Sequence, residues 1–194
     1  MLQSRMSRKV IAVVGNASES TSPETLLLAS EIGRGIVDAG FALVTGGMGG
    51  VMRAASQGGR LSPRCAEGSV IGILPSYDRA TANEFVQIAI PTGMQLARNT
   101  LVVATADVVI AVGGGSGTLS EMALAWQLGR PLIALTGCGG WSGELVGRTL
   151  DARGAVPIHS ARDAAEAVEI AIGLLAEIRS EAGDIGSHWR GGVQ

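Results

Sequence analysis

The sequence predicts an α/β fold: a doubly wound, mostly parallel sheet of about six or seven strands with helices on both faces, as in Rossmann-like domains. Short apolar runs rich in β-branched residues alternate along the chain with segments of helical periodicity. The runs are continuously apolar, which is typical of strands that are covered on both faces. Charged residues make up only 16% of the 194 residues, so we also expect some surface to be buried by association.

The predicted strands and helices alternate along most of the chain. Strands are predicted at 9–15, 42–47, 69–75, 86–91, 107–114, 131–137 and, as the shortest run, 155–158. Helices are predicted at about 23–39, 49–57, 93–105, 117–129, 142–152 and 161–181. Ser22 before Pro23 is typical of a helix N-cap, and Gly40 is typical of a helix end. The polar loop 75–85 either covers a ligand or is an inert connection.

Composition bounds the organisation of the chain and its partners. We expect one domain over residues 1–180 and a flexible tail over 181–194, which has four glycines and no clear period. The net charge of −2 and the lack of a basic run disfavour nucleic acid and membrane surfaces as partners and favour a small molecule. No apolar run approaches the roughly 18 residues of a membrane span.

The cysteines and histidines predict neither a disulfide framework nor a metal site. Cys65 and Cys138 are too few and too far from a CxxC pattern, so we expect reduced thiols and a cytoplasmic protein. His159 and His188 are isolated in the sequence. We therefore expect no metal ligands.

Three loops rich in small residues follow the first, second and fifth predicted strands, whose carboxyl ends meet at one edge of a parallel sheet. Glycine leaves backbone N–H groups open to a ligand, and helix N-termini attract phosphate. Each loop alone is often only a packing solution, but together they predict a site for a phosphorylated ligand. The expected ligand-binding residues are Gly15, Asn16, Ala17, Gly46, Gly47, Met48, Gly49, Gly50, Gly114, Gly115, Ser116, Gly117 and Thr118.

Two common nucleotide motifs are absent from these loops. The first loop lacks GxGxxG, and no Gly-Lys-Ser/Thr follows any of the three. Neither a hydride-transfer enzyme nor a P-loop NTPase is favoured. A fourth loop, 136–143, follows the sixth strand at the same edge, so Trp141 and Ser142 either border the pocket or lie in a plain loop. Cys138 in this loop has no acid or base neighbour in the sequence to activate it.

Three segments carry a family resemblance: TGGMGGVMRAAS (45–56), GILP (72–75) and the run from Pro91 to Pro131 that contains GGGSGTLSE. They resemble the LOG-type ("lysine decarboxylase-like", SLOG) Rossmann families, and most closely the subgroup that includes molybdenum cofactor carrier proteins. The similarity spans about residues 9–136. It implies a binding protein for a nucleotide-like or pterin ligand, with the molybdenum cofactor or a nucleoside monophosphate as cargo and with no cofactor required.

Another branch of these families cleaves nucleoside 5′-monophosphates to free base and ribose 5-phosphate. Its pattern is Pro-Gly-Gly-x-Gly-Thr-x-x-Glu after an Arg-Lys pair. The matching residues here are Gly114, Gly115, Gly117, Thr118, Glu121 and Arg98. Gly113 replaces the proline, Asn99 replaces the lysine, and Ser120 stands where that branch often has a second glutamate. A phosphoribohydrolase therefore remains the alternative to a carrier.

Arg98 and Glu121 have two open interpretations. They are either the catalytic residues of such an enzyme or an ion pair that fixes two helices at a subunit interface. The segments 93–106 and 117–129 carry almost no other charge, which predicts a homodimer or a dimer of dimers through these helices. A lysine decarboxylase is disfavoured, because pyridoxal phosphate needs a lysine and the single lysine, Lys9, begins the first strand.

Overall fold

The fold is a seven-stranded, all-parallel sheet, as the sequence predicted. The structure, a computed structural model, describes residues 8–18, 21–152 and 156–182. The strands are β1 (Val10–Gly15), β2 (Ala42–Thr45), β3 (Val70–Leu74), β4 (Ile88–Pro91), β5 (Val108–Val112), β6 (Leu132–Leu135) and β7 (His159–Ala161). Their spatial order is β4-β3-β2-β1-β5-β6-β7.

Within the described residues, six helices cover both faces of the sheet. They are α1 (Pro23–Asp38), α2 (Gly50–Leu61), α3 (Asn99–Thr105), α4 (Ser116–Gln127), α5 (Gly140–Leu145) and α6 (Ala164–Ala182). Helices α1, α2 and α6 pack on one face, and α3, α4 and α5 pack on the other. The central strands are therefore buried from both sides, which explains their continuous apolarity.

The predicted start of α1 is confirmed in detail. Pro23 occupies the first turn, and the Oγ of Ser22 accepts a hydrogen bond from Thr25 N at 3.2 Å. Proline costs nothing there because the first N–H groups of a helix have no intrahelical partner. Gly40 follows the end of α1 with φ +90°, as a residue after a helix often does.

Two predicted elements near the carboxyl end of the chain are wrong. The run 155–158 is not a strand over its described residues, since Ile158 N donates to Arg148 O and Ile158 O accepts from Gly147 N. These bonds tie Ile158 to the loop after α5, so the ladder with β6 begins only at His159. The helix predicted at 142–152 is α5, which starts earlier and ends at Leu145 because Val146 turns extended, with ψ 128°.

Three other elements differ in detail from the prediction. Helix α2 continues to Leu61, the helix predicted at 93–105 begins as a 3-10 turn over Gln95–Arg98, and the loop 75–85 contains a 3-10 turn over Arg79–Thr81. Of the predicted tail 181–194, residues 181–182 end α6 and the remainder, with His188, lies outside the described residues. No helix in the described ranges combines the length and the apolarity of a membrane span.

The strand order reverses between β1 and β5. The chain leaves β1 for α1 on one face and leaves β5 for α4 on the other face. The two connections therefore part at the carboxyl edge of the sheet and leave a crevice between them. In parallel α/β sheets this crevice is where ligands bind.

Candidate functional site

A cavity of about 460 Å³ opens at this crevice. We call it the switch-point cavity. It is lined by Gly15, Asn16, Ala17, Met48, Met52, Pro75, Gln95, Leu96, Arg98, Asn99, Gly115, Ser116, Gly117, Thr118 and Glu121. The structure thus brings Arg98, Glu121 and parts of all three predicted loops to one cavity.

The remaining predicted residues lie behind the cavity or beside it. Gly46 is buried, and a Cβ there would lie 2.7 Å from Arg98 Nη2 and 2.6 Å from Met52 Sδ. Gly50 packs against Asn16 O, which also accepts a hydrogen bond from Val51 N at 2.8 Å. Neither these two glycines nor Gly47 and Gly49 line the cavity. The second loop therefore makes room for Arg98 and holds the first loop in place.

Gly114 lines a second, adjoining cavity of about 310 Å³. We call it the hydroxyl cavity, because three hydroxyl side chains form part of its wall. Its lining residues are Asn16, Thr21, Ser22, Thr25, Val112, Gly113, Gly114, Gly115, Cys138 and Gly140. Asn16 and Gly115 belong to both cavities.

The start of α4 presents backbone N–H groups to the switch-point cavity. No side chain of the described residues caps this helix, and the N–H groups of Ser116, Gly117 and Thr118 in its first turn have no intrahelical acceptor. A Cβ added at Gly115 or Gly117 would meet no described atom within 4 Å. The open space and the helix dipole both suit an anion such as phosphate.

The turn before α4 explains why glycine replaces the proline of the phosphoribohydrolase pattern. Gly113 has φ +59°, and its N–H donates to the buried Ser142 Oγ at 2.7 Å. Proline fixes φ near −65° and has no N–H. Ser142 Oγ in turn donates to Leu135 O at 3.1 Å. Ser142 is thus a buried support for the turn and does not line either cavity.

Arg98 and Glu121 form a buried ion pair at the wall of the switch-point cavity. Arg98 Nη1 lies 3.5 Å from Glu121 Oε1, and the two side chains are 9% and 7% exposed. The pair joins the 3-10 turn before α3 to α4. Arg98 Nε is buried and has no hydrogen-bond partner among the described residues. A buried unpaired donor is costly, so the guanidinium of Arg98 is not fully satisfied by the described residues.

Burial is the largest cause of the pKa shifts of Glu121 and Arg98. It raises the pKa of Glu121 to about 7, and the charge of Arg98 offsets only part of that rise. Burial likewise lowers the pKa of Arg98, while Glu121 raises it. A carboxyl group with a pKa near neutrality can both hold and release a proton at physiological pH. The geometry therefore fits ligand binding and also fits acid–base chemistry.

Two of the three departures from the phosphoribohydrolase pattern, Asn99 and Ser120, contact each other. Asn99 Nδ2 donates to Ser120 Oγ at 2.9 Å, and Ser120 Oγ donates to Gly117 O at 2.6 Å. Asn99 Oδ1 accepts from Arg98 Nη1 at 2.6 Å. A neutral pair thus stands where that branch has a lysine and often a glutamate. Each departure was visible in the sequence, but their contact was not.

Five of the residues that line the cavity were not predicted from the sequence: Met52, Pro75, Gln95, Leu96 and Asn99. Asn99 was noted in the sequence only as a departure from the phosphoribohydrolase pattern. Gln95 is the single non-glycine residue with positive φ in the described chain, at +51°. Its N–H donates to Pro75 O at 3.0 Å, which fixes the rim of the cavity. Strained backbone often occurs at binding sites, but no feature of the sequence around Gln95 signals it.

A larger cavity of about 560 Å³ lies at the opposite, amino-terminal edge of the sheet, around Asp107, Arg130 and His159. None of the three glycine loops reaches it. Lys9 also lies at that edge, where its Nζ is 2.8 Å from Asp107 Oδ1. We prefer the switch-point cavity as the candidate site, because ligands of parallel sheets bind beyond the carboxyl ends of the strands.

Comparisons with known proteins agree with the predicted resemblance. The SLOG cluster4 family model matches residues 8–168. The solved molybdenum cofactor binding protein of the phototrophic bacterium Rippkaea orientalis is 35% identical, with a TM-score of 0.75 over 88% of this chain and 99% of that one. The molybdenum cofactor carrier protein of Chlamydomonas reinhardtii is 33% identical, with a TM-score of 0.73 over 87% and 99%.

A protein of Archaeoglobus fulgidus, described as uncharacterized, is 38% identical over 125 residues, which are 64% of this chain and 78% of that protein. The similarity covers nearly the whole length of each of the two solved neighbours, and the TM-scores show that they share the fold of this chain. The predicted resemblance and the predicted fold are both confirmed.

Proposed function

Because the chain belongs to the SLOG cluster4 family, we propose that it is a carrier that holds the molybdenum cofactor in the switch-point cavity. One observation carries the proposal: the uncapped start of α4 and the buried Arg98, whose guanidinium is not fully paired within the protein, line the same cavity. Such a site suits a phosphorylated ligand. The solved neighbours described as molybdenum cofactor proteins support the choice of cargo.

The two sides of the cavity suit the two parts of this cargo, a pterin that bears a phosphate. The phosphate would accept hydrogen bonds from the first N–H groups of α4, helped by the helix dipole. The pterin would lie against the apolar side chains of Met48, Met52 and Leu96, which line the same cavity. Polarizable methionine side chains adapt well to flat rings.

The test measures cofactor retained by the purified protein. Molybdenum cofactor freshly released from a denatured molybdoenzyme is mixed with the protein, the mixture is desalted, and bound molybdenum is measured by mass spectrometry. We expect Gly117→Ala to weaken binding about tenfold or more, because its Cβ enters the space of the phosphate. Retention of no cofactor by the unaltered protein would defeat the proposal.

Gly173→Ala is the matched control. Gly173 lies in α6 and lines neither cavity. A Cβ added at Gly173 would meet no described atom within 4 Å, and the same holds for Gly117. Alanine favours a helix over glycine by roughly 1 kcal/mol, so neither change is expected to unfold the protein. Equal cofactor loss in the two variants would show that the effect at Gly117 is not local.

A phosphoribohydrolase is the second candidate, favoured by one observation. Glu121 faces the cavity with a pKa raised by burial to about 7, which suits a general acid or base. The neutral Asn99–Ser120 pair argues against it, since it removes the charges of that pattern. Incubation with AMP, followed by chromatography, tests it: release of adenine by the protein but not by Glu121→Gln would support the enzyme.

The remaining parts of the proposal concern partners and location. We propose that the chain acts as a homodimer or a dimer of dimers through α3 and α4, with a small phosphorylated ligand and no nucleic acid. A cytoplasmic location is part of the same proposal, and the two free thiols, Cys65 and Cys138, agree with a reducing compartment.

A further inference from the structure

The hydroxyl cavity is not needed to hold a phosphate monoester. It lies beside the switch-point cavity, and the two share Asn16 and Gly115. Gly115 is the N-cap residue of α4, directly before the N–H groups that suit a phosphate. A phosphate bound there would therefore lie between the two cavities, with open space on both sides.

The wall of the hydroxyl cavity is polar but uncharged. None of the described residues that line it carries a charge. Its hydroxyl groups already bond within the loop: Ser22 Oγ donates to Thr25 Oγ1 at 3.1 Å, and Thr21 Oγ1 donates to Ser18 O at 2.7 Å. A hydroxyl oxygen that donates still has lone pairs to accept with. Such a wall suits the hydroxyl groups of a sugar better than a second terminal phosphate.

The size of the hydroxyl cavity also suits a group larger than a single ion. Its volume of about 310 Å³ is at the lower end of the range of roughly 300–1,000 Å³ for ligand sites. Gly113 and Gly114, with φ values of +59° and +94°, form a tight turn between β5 and α4. The cavity is thus built into the turn that follows β5.

We infer that the ligand extends on both sides of its phosphate, with the ring in the switch-point cavity and a second, sugar-bearing group in the hydroxyl cavity. The ligand class is a phosphodiester or pyrophosphate-linked, dinucleotide-like molecule. This inference rests on the proposed function, since both place the phosphate at the start of α4.

The thiol of Cys138 offers a direct readout, because it lines the hydroxyl cavity. The sequence has two cysteines, so Cys65→Ser leaves Cys138 alone. The probes are the molybdenum cofactor in its monophosphate form and the same cofactor joined through a pyrophosphate to a nucleotide. At ten times its Kd, the nucleotide-linked form should slow iodoacetamide labelling of Cys138 about tenfold, since mainly ligand-free protein reacts. The monophosphate form should bind without slowing labelling.

A second variant fills the hydroxyl cavity. Cys138→Phe, in the full chain, should weaken binding of the nucleotide-linked form about tenfold and leave the monophosphate form unaffected, which also shows that the variant folds. Equal protection by both forms, protection by neither although both bind, or equal weakening of both by Cys138→Phe would overturn the inference. Binding of neither form to the unaltered protein would defeat the proposed function itself.

Discussion

Glu121 is a carboxyl group that is buried with one cation, Arg98, as its neighbour. Burial raises its pKa from 4.5 to about 7 in the folded protein. The neutral form is therefore favoured by folding, so its contribution to stability is complete below about pH 4.5 and is lost as the pH rises through about 7. Acid should leave this site intact, and mild alkali should weaken it.

Glu121→Gln tests this dependence, because glutamine keeps the shape of the side chain and does not titrate. The free energy of unfolding of the unaltered protein, minus that of the variant, should fall by about 3 kcal/mol between pH 4.5 and pH 8. Urea denaturation at a series of pH values measures both. Parallel pH profiles for the two proteins would contradict a raised pKa at Glu121.

Single residues show how far the sequence predicts the site. The motif match of Arg98, Thr118 and Glu121 placed them together in the sequence prediction, and all three line the switch-point cavity. The role of Gly46 was not predictable, because the need for glycine arises from Arg98 and Met52, which approach from elsewhere in the chain. The Asn99–Ser120 contact depends on how the 3-10 turn packs against α4, which no local pattern encodes.

At the scale of elements, the turn from β5 to α4 is fixed by α5. Gly113 N–H donates to Ser142 Oγ, and Trp141 N donates to Gly114 O at 3.0 Å. A Cβ at Gly140 would overlap Gly114 O. A glycine turn and a short helix are thus interlocked, and the position of the α4 start follows from both.

Restoring the proline of the phosphoribohydrolase pattern should therefore damage the protein. Gly113→Pro cannot adopt φ +59° and removes the N–H that Ser142 accepts, so we expect a loss of roughly 3 kcal/mol or more in the free energy of unfolding. Urea denaturation measures it.

Ser142→Ala is the comparison for this change. It removes the same hydrogen bond without changing the backbone, so we expect a smaller loss of about 1–3 kcal/mol. If Gly113→Pro were as stable as the unaltered protein, the positive φ at this position would be wrong.

The elements also show where sequence reasoning fails. The bounds of strands β1 to β6 were predicted to within two residues, because their continuous apolarity is local information. Strand β7 and helix α5 were misplaced, because hydrogen bonds between Ile158 and the loop 147–148 decide where the chain turns. Those contacts are tertiary, and the short segments have too few residues to show a period.

At the scale of the whole molecule, three leucine side chains are exposed on or beside α3 and α4. Leu101 on α3 and Leu128 at the end of α4 are 37% and 47% exposed, and Leu96 in the preceding 3-10 turn is 81% exposed. Helices α3 and α4 pack against each other on the same face of the sheet. Contiguous exposed apolar side chains commonly mark protein interfaces, and the proposed homodimer would bury these three leucines in one such surface.

A charge at Leu101 should separate the subunits if α3 lies in the interface. Leu101→Glu would bury a carboxylate without a partner in the dimer but would leave it in water in the monomer, so dissociation relieves a desolvation cost of several kcal/mol. Light scattering coupled to gel filtration at micromolar concentration should give twice the monomer mass, or four times it, for the unaltered protein and a lower mass for the variant.

Leu61→Glu is the control, since Leu61 is 64% exposed on α2, on the opposite face of the sheet. A monomer mass for the unaltered protein, or the same drop in mass for both variants, would show that α3 does not form a subunit interface.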